Sequence, residues 1–186
     1  MANVINAAAG TGIVATADST SDLNIQTGGT NAIVITATQI AMQRQSSLAS
    51  TSTQLGALLQ GSAETVTAAA TAATGTINFD VTTQGILFYT SNASANFTIN
   101  IRASSTTSLN TALAVGQSVS CVFMNTNGAT PYYCNAVQVD GASVTPKWLN
   151  STPSAGNASA IDTYTFTVIK TASATYTVLA SLSKFA

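Results

Sequence analysis

From about residue 75 onward, large apolar residues fall on every second position: Ile77, Phe79 and Val81, then Phe97, Ile99 and Ile101, then Val119, Cys121 and Phe123. Val137 with Val139, Tyr164 with Phe166 and Val168, and Tyr176 with Val178 and Ala180 continue the series. A period of two puts alternate side chains on opposite faces of a strand, so each segment predicts a strand with one apolar face. Turn signals separate them at Gln84-Gly85, Ser91-Asn92, Asn127-Gly128, Asp140-Gly141 and Gly156-Asn157. Short strands with turns at this spacing predict an all-β domain over residues 75–186, an antiparallel sandwich, jelly roll or small barrel. Each apolar face then needs a second sheet or a neighbouring subunit to cover it.

Residues 1–42 have a different texture. The alternating stretch Asp22-Leu23-Asn24-Ile25-Gln26, the pair Gly28-Gly29 and the run from Ala32 to Thr36 predict a hairpin, since glycine supplies the positive φ that tight hairpin turns require. A lone hairpin is marginal in water, so this arm is expected to lie against the rest of the chain or against identical arms. Residues 43–74 are read as a connecting segment. Within it Leu48, Leu55, Leu58 and Leu59 have roughly helical spacing, which supports a short helix near 45–60. Gly56, Gly61 and the many Ser and Thr residues support an extended linker instead.

The composition narrows the function. The 186 residues contain no histidine, two cysteines, five Lys+Arg and six Asp+Glu. At 6% charged residues the chain falls far below the ~25% of ordinary soluble domains. Proton transfer and nucleophile activation need titratable groups held together, and without histidine neither a Ser/His/Asp nor a Cys/His arrangement can be built. A net charge of −1 leaves no basic footprint for nucleic acid or anionic lipid, and it favours self-association. The longest apolar runs, Ala32–Ile35 and Ile86–Tyr89, are strand-sized, well short of the ~20 residues that span a bilayer, and no membrane insertion is expected. The start of the chain lacks basic residues and its apolar stretch is broken by Gly10 and Gly12, so no cleaved secretory signal is expected.

Few residues stand out as chemistry. Asp18 and Asp22 flank a Ser-Thr-Ser turn, which suits an Asx-capped turn better than a calcium loop, because calcium loops supply more carboxylates in a fixed pattern. Asp80, Asp140 and Asp162 carry no spacing that would bring them together. Cys121 and Cys134 fit two buried thiols or a single bridge, and the scarcity of cysteine favours the thiols. No cofactor or metal site is expected. Trp148, in Val144-Thr145-Pro146-Lys147-Trp148, reads either as a plug at the end of the core or as a stacking platform for a sugar ring, with the plug favoured. Tyr132-Tyr133 straddles two faces of the chain, so one of these tyrosines is expected at the surface. Tyr132, Tyr133 and Trp148 are therefore the candidate ligand-contact residues.

Several ordered segments of residues 64–186 resemble a C-terminal module of virion structural proteins from tailed bacteriophages, marine and cyanobacterial phages especially. They are Gly75–Asp80, Gln84–Thr90, Phe97–Arg102, Asn127–Tyr133, Val139–Gly141, Pro146–Trp148 and, most extensively, Ser154–Ala158 running into Ile161–Lys170 and Tyr176–Ala180. The stretch from Gly12 to Gln43 resembles a short β motif of phage tail-fibre-like proteins. The resemblance implies a non-enzymatic virion component, usually a homotrimer, serving as a head decoration (cement) protein or a short tail fibre. It further implies attachment to major capsid or tail proteins through residues 1–42, and display of residues 75–186 as a knob on a virion assembled in the bacterial cytoplasm. The alternative is an adhesin module that binds a glycan on the host surface.

Overall fold

The computed structural model describes residues 63–186 and, before them, the backbone of three strands. The chain divides into two units, Met1–Gln60 and Gly61–Ala186.

In the first unit β1 (Leu23–Thr27) and β2 (Thr30–Ile35) pair antiparallel with Thr27 opposite Thr30, as the alternating pattern around Gly28-Gly29 predicts. A third strand, β3 (Ile40–Met42), adds to β2 and completes a three-stranded sheet. Asp18, Asp22 and the 45–60 segment lie outside the described residues.

The second unit is built from β4 (Val66–Ala72), β5 (Gly75–Asp80), β6 (Ile86–Asn92), β7 (Phe97–Arg102), a short helix α1 (Leu109–Ala112), β8 (Ser118–Thr126), β9 (Cys134–Val139), β10 (Ala142–Val144), β11 (Lys147–Trp148), β12 (Ile161–Ala172) and β13 (Thr175–Phe185). One sheet has the order β10-β9-β7-β5 and the other β11-β13-β12-β8-β6-β4. The alternating residues do what their period requires: Ile77, Phe79, Phe97, Ile99, Ile101, Val137 and Val139 of the first sheet and Leu87, Cys121, Phe123, Tyr164, Phe166, Val168, Val178 and Ala180 of the second form one buried core. Aromatic rings join the sheets across it, with Phe97 edge-on to Phe123 at 5.4 Å and to Tyr164 at 5.9 Å.

The expected antiparallel arrangement is corrected by the strand pairing. β4 with β6, β6 with β8, β5 with β7, β7 with β9 and β11 with β13 are all parallel, whereas β8 with β12, β12 with β13 and β9 with β10 are antiparallel. From β4 to β9 the chain alternates between the two sheets, so strands two apart in sequence become neighbours running the same way. A crossover of this kind uses a strand in the other sheet where parallel pairs ordinarily use a helix. Gln84-Gly85 and Asn127-Gly128 thus lie where the chain changes sheets, whereas Ser91-Asn92, read as a turn, are the last paired residues of β6 and the change follows them. Asp140-Gly141 is a genuine hairpin, with Val139 opposite Ala142 and both turn residues in the left-handed region, φ 51° and 80°.

A second correction concerns residues 66–72, assigned above to the connecting segment. They form β4 at the edge of the six-stranded sheet. Their Ala and Thr side chains carry no large apolar alternation, and an edge strand with little to bury needs none.

Candidate functional site

Trp148 sits on the two-residue strand β11, opposite Ala180 of β13, and Leu149 N–H donates to the Ala180 carbonyl at 2.8 Å. Half-buried against the core, its ring stands edge-on to Tyr164 at 6.4 Å and to Phe166 at 6.2 Å. The exposed part of the ring borders a groove of about 240 Å³ between the β9–β10 hairpin and β11, whose walls include Asn135, Val144, Thr145, Pro146 and Thr152. Cys134 is the one titratable residue on this wall. Burial pushes its thiol up to about 12, so the groove is uncharged.

The structure does not gather the three candidate residues into one place. Tyr132 is half-buried, packs against the core and donates its N–H to Asn127 Oδ1 at 3.1 Å. Tyr133 is half-buried beside it, with its N–H donated to Asn96 Oδ1 at 3.1 Å and its carbonyl accepting from Phe97 N–H at 3.2 Å. Neither tyrosine lines the Trp148 groove.

Among the described residues, most of the few charged side chains are taken up in holding the fold. Asp80 pairs with Arg102 at 2.6 Å, its register partner on the next strand. Asp140 accepts at the start of α1 from Leu109 N–H at 2.6 Å and Asn110 N–H at 2.9 Å, and also from the Tyr176 hydroxyl at 3.2 Å. At the other end of α1 the buried Lys170 Nζ donates to the Asn110 and Leu113 carbonyls at 2.6 and 2.8 Å. Negative charge at the amino end and positive charge at the carboxyl end satisfy backbone groups that so short a helix leaves unpaired. Burial, reinforced by the Asp140 carboxylate, pushes the Tyr176 hydroxyl up to about 12.

A second polar cluster is buried at the ends of β8 and β12. Asp162 Oδ2 accepts from Asn127 Nδ2 and from Asn157 N–H, each at 3.0 Å. Asn127 Oδ1 accepts from Asn125 Nδ2 at 3.1 Å as well as from Tyr132. Gly156 closes over this group, and a Cβ there would collide with the Tyr132 carbonyl and crowd Asn127 and Asp162. Tyr164 lies next inward along β12 and accepts from Cys134 N–H through its hydroxyl oxygen at 3.1 Å.

The sequence reading singled out neither polar cluster, although a signal was present. Extending the Tyr164-Phe166-Val168 alternation by one step each way reaches Asp162 and Lys170, both buried, and extending Cys121-Phe123 reaches Asn125. Cys121 and Cys134 are both buried free thiols, as the favoured reading expects. Among the described residues no group of three or more His, Cys, Asp or Glu could hold a metal ion, and no helix is long and apolar enough to cross a membrane. No protein-family model, curated protein or solved structure matches the chain.

Proposed function

We propose that this chain is a non-enzymatic structural protein of a bacteriophage virion, a homotrimeric head decoration (cement) protein or short tail fibre. It attaches to capsid or tail proteins through residues 1–42 and displays the two-sheet unit as a β-sandwich knob. The observation that carries this reading is the use made of the charged residues. Asp80, Arg102, Asp140, Asp162 and Lys170 are each tied to a partner within the fold, while the solvent faces of the long strands carry residues such as Ser120, Thr165 and Ser183. Such a surface suits many weak, repeated contacts, in which multivalency across copies replaces single-site affinity. The resemblance to phage virion modules points the same way.

The test is to locate the protein in purified particles by labelled antibody and electron microscopy, with native mass spectrometry of the free chain alongside. A regular array on head or tail and a threefold mass are expected; absence from the particle would refute the virion role, and a persistent monomer would refute the trimer. The uncharged groove beside Trp148 favours one second reading, an adhesin that binds a neutral host glycan through stacking on the indole and hydrogen bonds to Asn135 and Thr152. A glycan array probed with the full chain separates the two readings.

A further inference from the structure

Asn125 on β8 stands directly opposite Asp162 on β12, and both are fully buried. One backbone group sets the orientation of every amide in their cluster. The Tyr132 N–H can only donate, so it holds Asn127 with Oδ1 facing it. Asn127 Nδ2 is thereby turned to Asp162 Oδ2, and Asn125 must present Nδ2 to Asn127 Oδ1. Asn125 Oδ1 is left as an acceptor with no donor, and so is Asp162 Oδ1. Two buried acceptors in cross-strand register, each without a partner, are costly. A single hydrogen lying between the two oxygens would serve both, and of the two side chains only the Asp162 carboxyl can carry one.

We propose that Asp162 and Asn125 form a proton-operated cross-strand link, in which Asp162 takes up a proton from solvent on Oδ1 and donates it to Asn125 Oδ1. Protonation removes the buried negative charge and pairs both orphaned oxygens, so this end of the six-stranded sheet is strengthened by acid.

The surroundings favour uptake of the proton. Burial raises the Asp162 carboxyl above the ordinary aspartate range, and this outweighs the hydrogen bonds from Asn157 and Asn127 and the Lys184 ammonium, all of which favour the carboxylate. Lys184 faces Asp162 from β13, Tyr164 follows it on β12, Asn125 on β8 is neutral, Tyr132, Tyr133 and Cys134 lie on the segment beyond Asn127, and Gly156 and Asn157 bring no charge. Because the folded state holds this proton more tightly than the unfolded chain, the stabilisation is complete below the unfolded carboxyl value of about 3.9. It is lost as pH rises through the folded midpoint.

The test is a pH titration of the full chain by NMR, following the Asp162 carboxyl carbon and the Asn125 side-chain amide, beside denaturant unfolding of wild type and Asp162→Asn. The asparagine places a permanent donor where the proton would sit. The two Asp162 and Asn125 signals are expected to move with one shared midpoint above the ordinary aspartate range. The unfolding constant of wild type relative to the variant should fall by roughly fivefold on acidification, the net worth of one hydrogen bond. Asn125 signals that stay still while Asp162 titrates, or a midpoint at or below the ordinary range, would overturn the proposal. So would movement of the Asn125 signals on adding calcium chloride at fixed pH, which would assign the two oxygens to a cation. The wild-type titration decides the matter even if the variant does not fold.

Discussion

Replacing Trp148 with alanine separates a ring that fills the fold from a ring that waits for a ligand. Truncating a buried large aromatic ordinarily costs about 3–5 kcal/mol, and each edge-on aromatic pair adds roughly 0.5–1.5 kcal/mol beyond its area. Trp148 makes two such pairs, with Tyr164 and Phe166, yet keeps part of its surface in water. The expected loss is therefore shifted below that range by about 1 kcal/mol, to about 2–4 kcal/mol. For a unit of this size each kcal/mol lowers Tm by roughly 3–5 °C, so a fall of roughly 6–20 °C is expected. The assay is thermal unfolding followed by circular dichroism, with Trp148→Phe as the control that keeps a ring against Tyr164. Trp148 is the single tryptophan, so its fluorescence also reports directly on how far the wild-type ring is shielded. A Tm for Trp148→Ala within about one degree of wild type would refute the packing argument. Loss of glycan binding in the same protein would then leave the adhesin reading in front.

The Asp140 cap and the thiols offer further tests. Asp140→Ala removes three hydrogen bonds and puts a Cβ-bearing residue without a polar side chain at φ 51°, so a loss of about 3 kcal/mol in denaturant unfolding is expected. Asp140→Asn, which tolerates that backbone and keeps one acceptor, is expected to lose less, and to lower the Tyr176 hydroxyl from its raised value in an ultraviolet titration. Equal losses for the two variants would refute the role given to the side chain. Cys121 and Cys134, both buried and pushed up to about 12, are expected to resist a thiol reagent at neutral pH until denaturant is added, because the thiolate is the reactive form. Rapid labelling of the native protein would contradict this.

Strand content and inward faces were legible in the chain because they follow from local geometry. A period of two is imposed by the pleat itself, so Phe97, Ile99 and Ile101 or Tyr164, Phe166 and Val168 announce a buried face whatever they pack against. The β1–β2 pairing followed from an equally local argument, and the free thiols from the scarcity of cysteine in the chain. Pairing partners were another matter. Asn127-Gly128 permits the chain to reverse, but the same reversal can return it to the same sheet or carry it to the opposite one, and nothing within the turn distinguishes these outcomes. The core decides: β4 through β9 alternate between sheets so that both apolar faces are covered at once, and parallel pairing is the consequence. β4 was invisible for a related reason, since its alanines and threonines gain a strand's hydrogen bonds only from β6. The polar clusters depend still more on assembly. Asp140 meets α1 from 30 or 31 residues away, and Lys170 meets it from about twice that separation. Asp162 finds Asn127 only because β8 and β12 are neighbours. Periodicity foretells which way a side chain points, whereas the partner it meets there is settled by long-range packing, which brings distant segments to the same buried point.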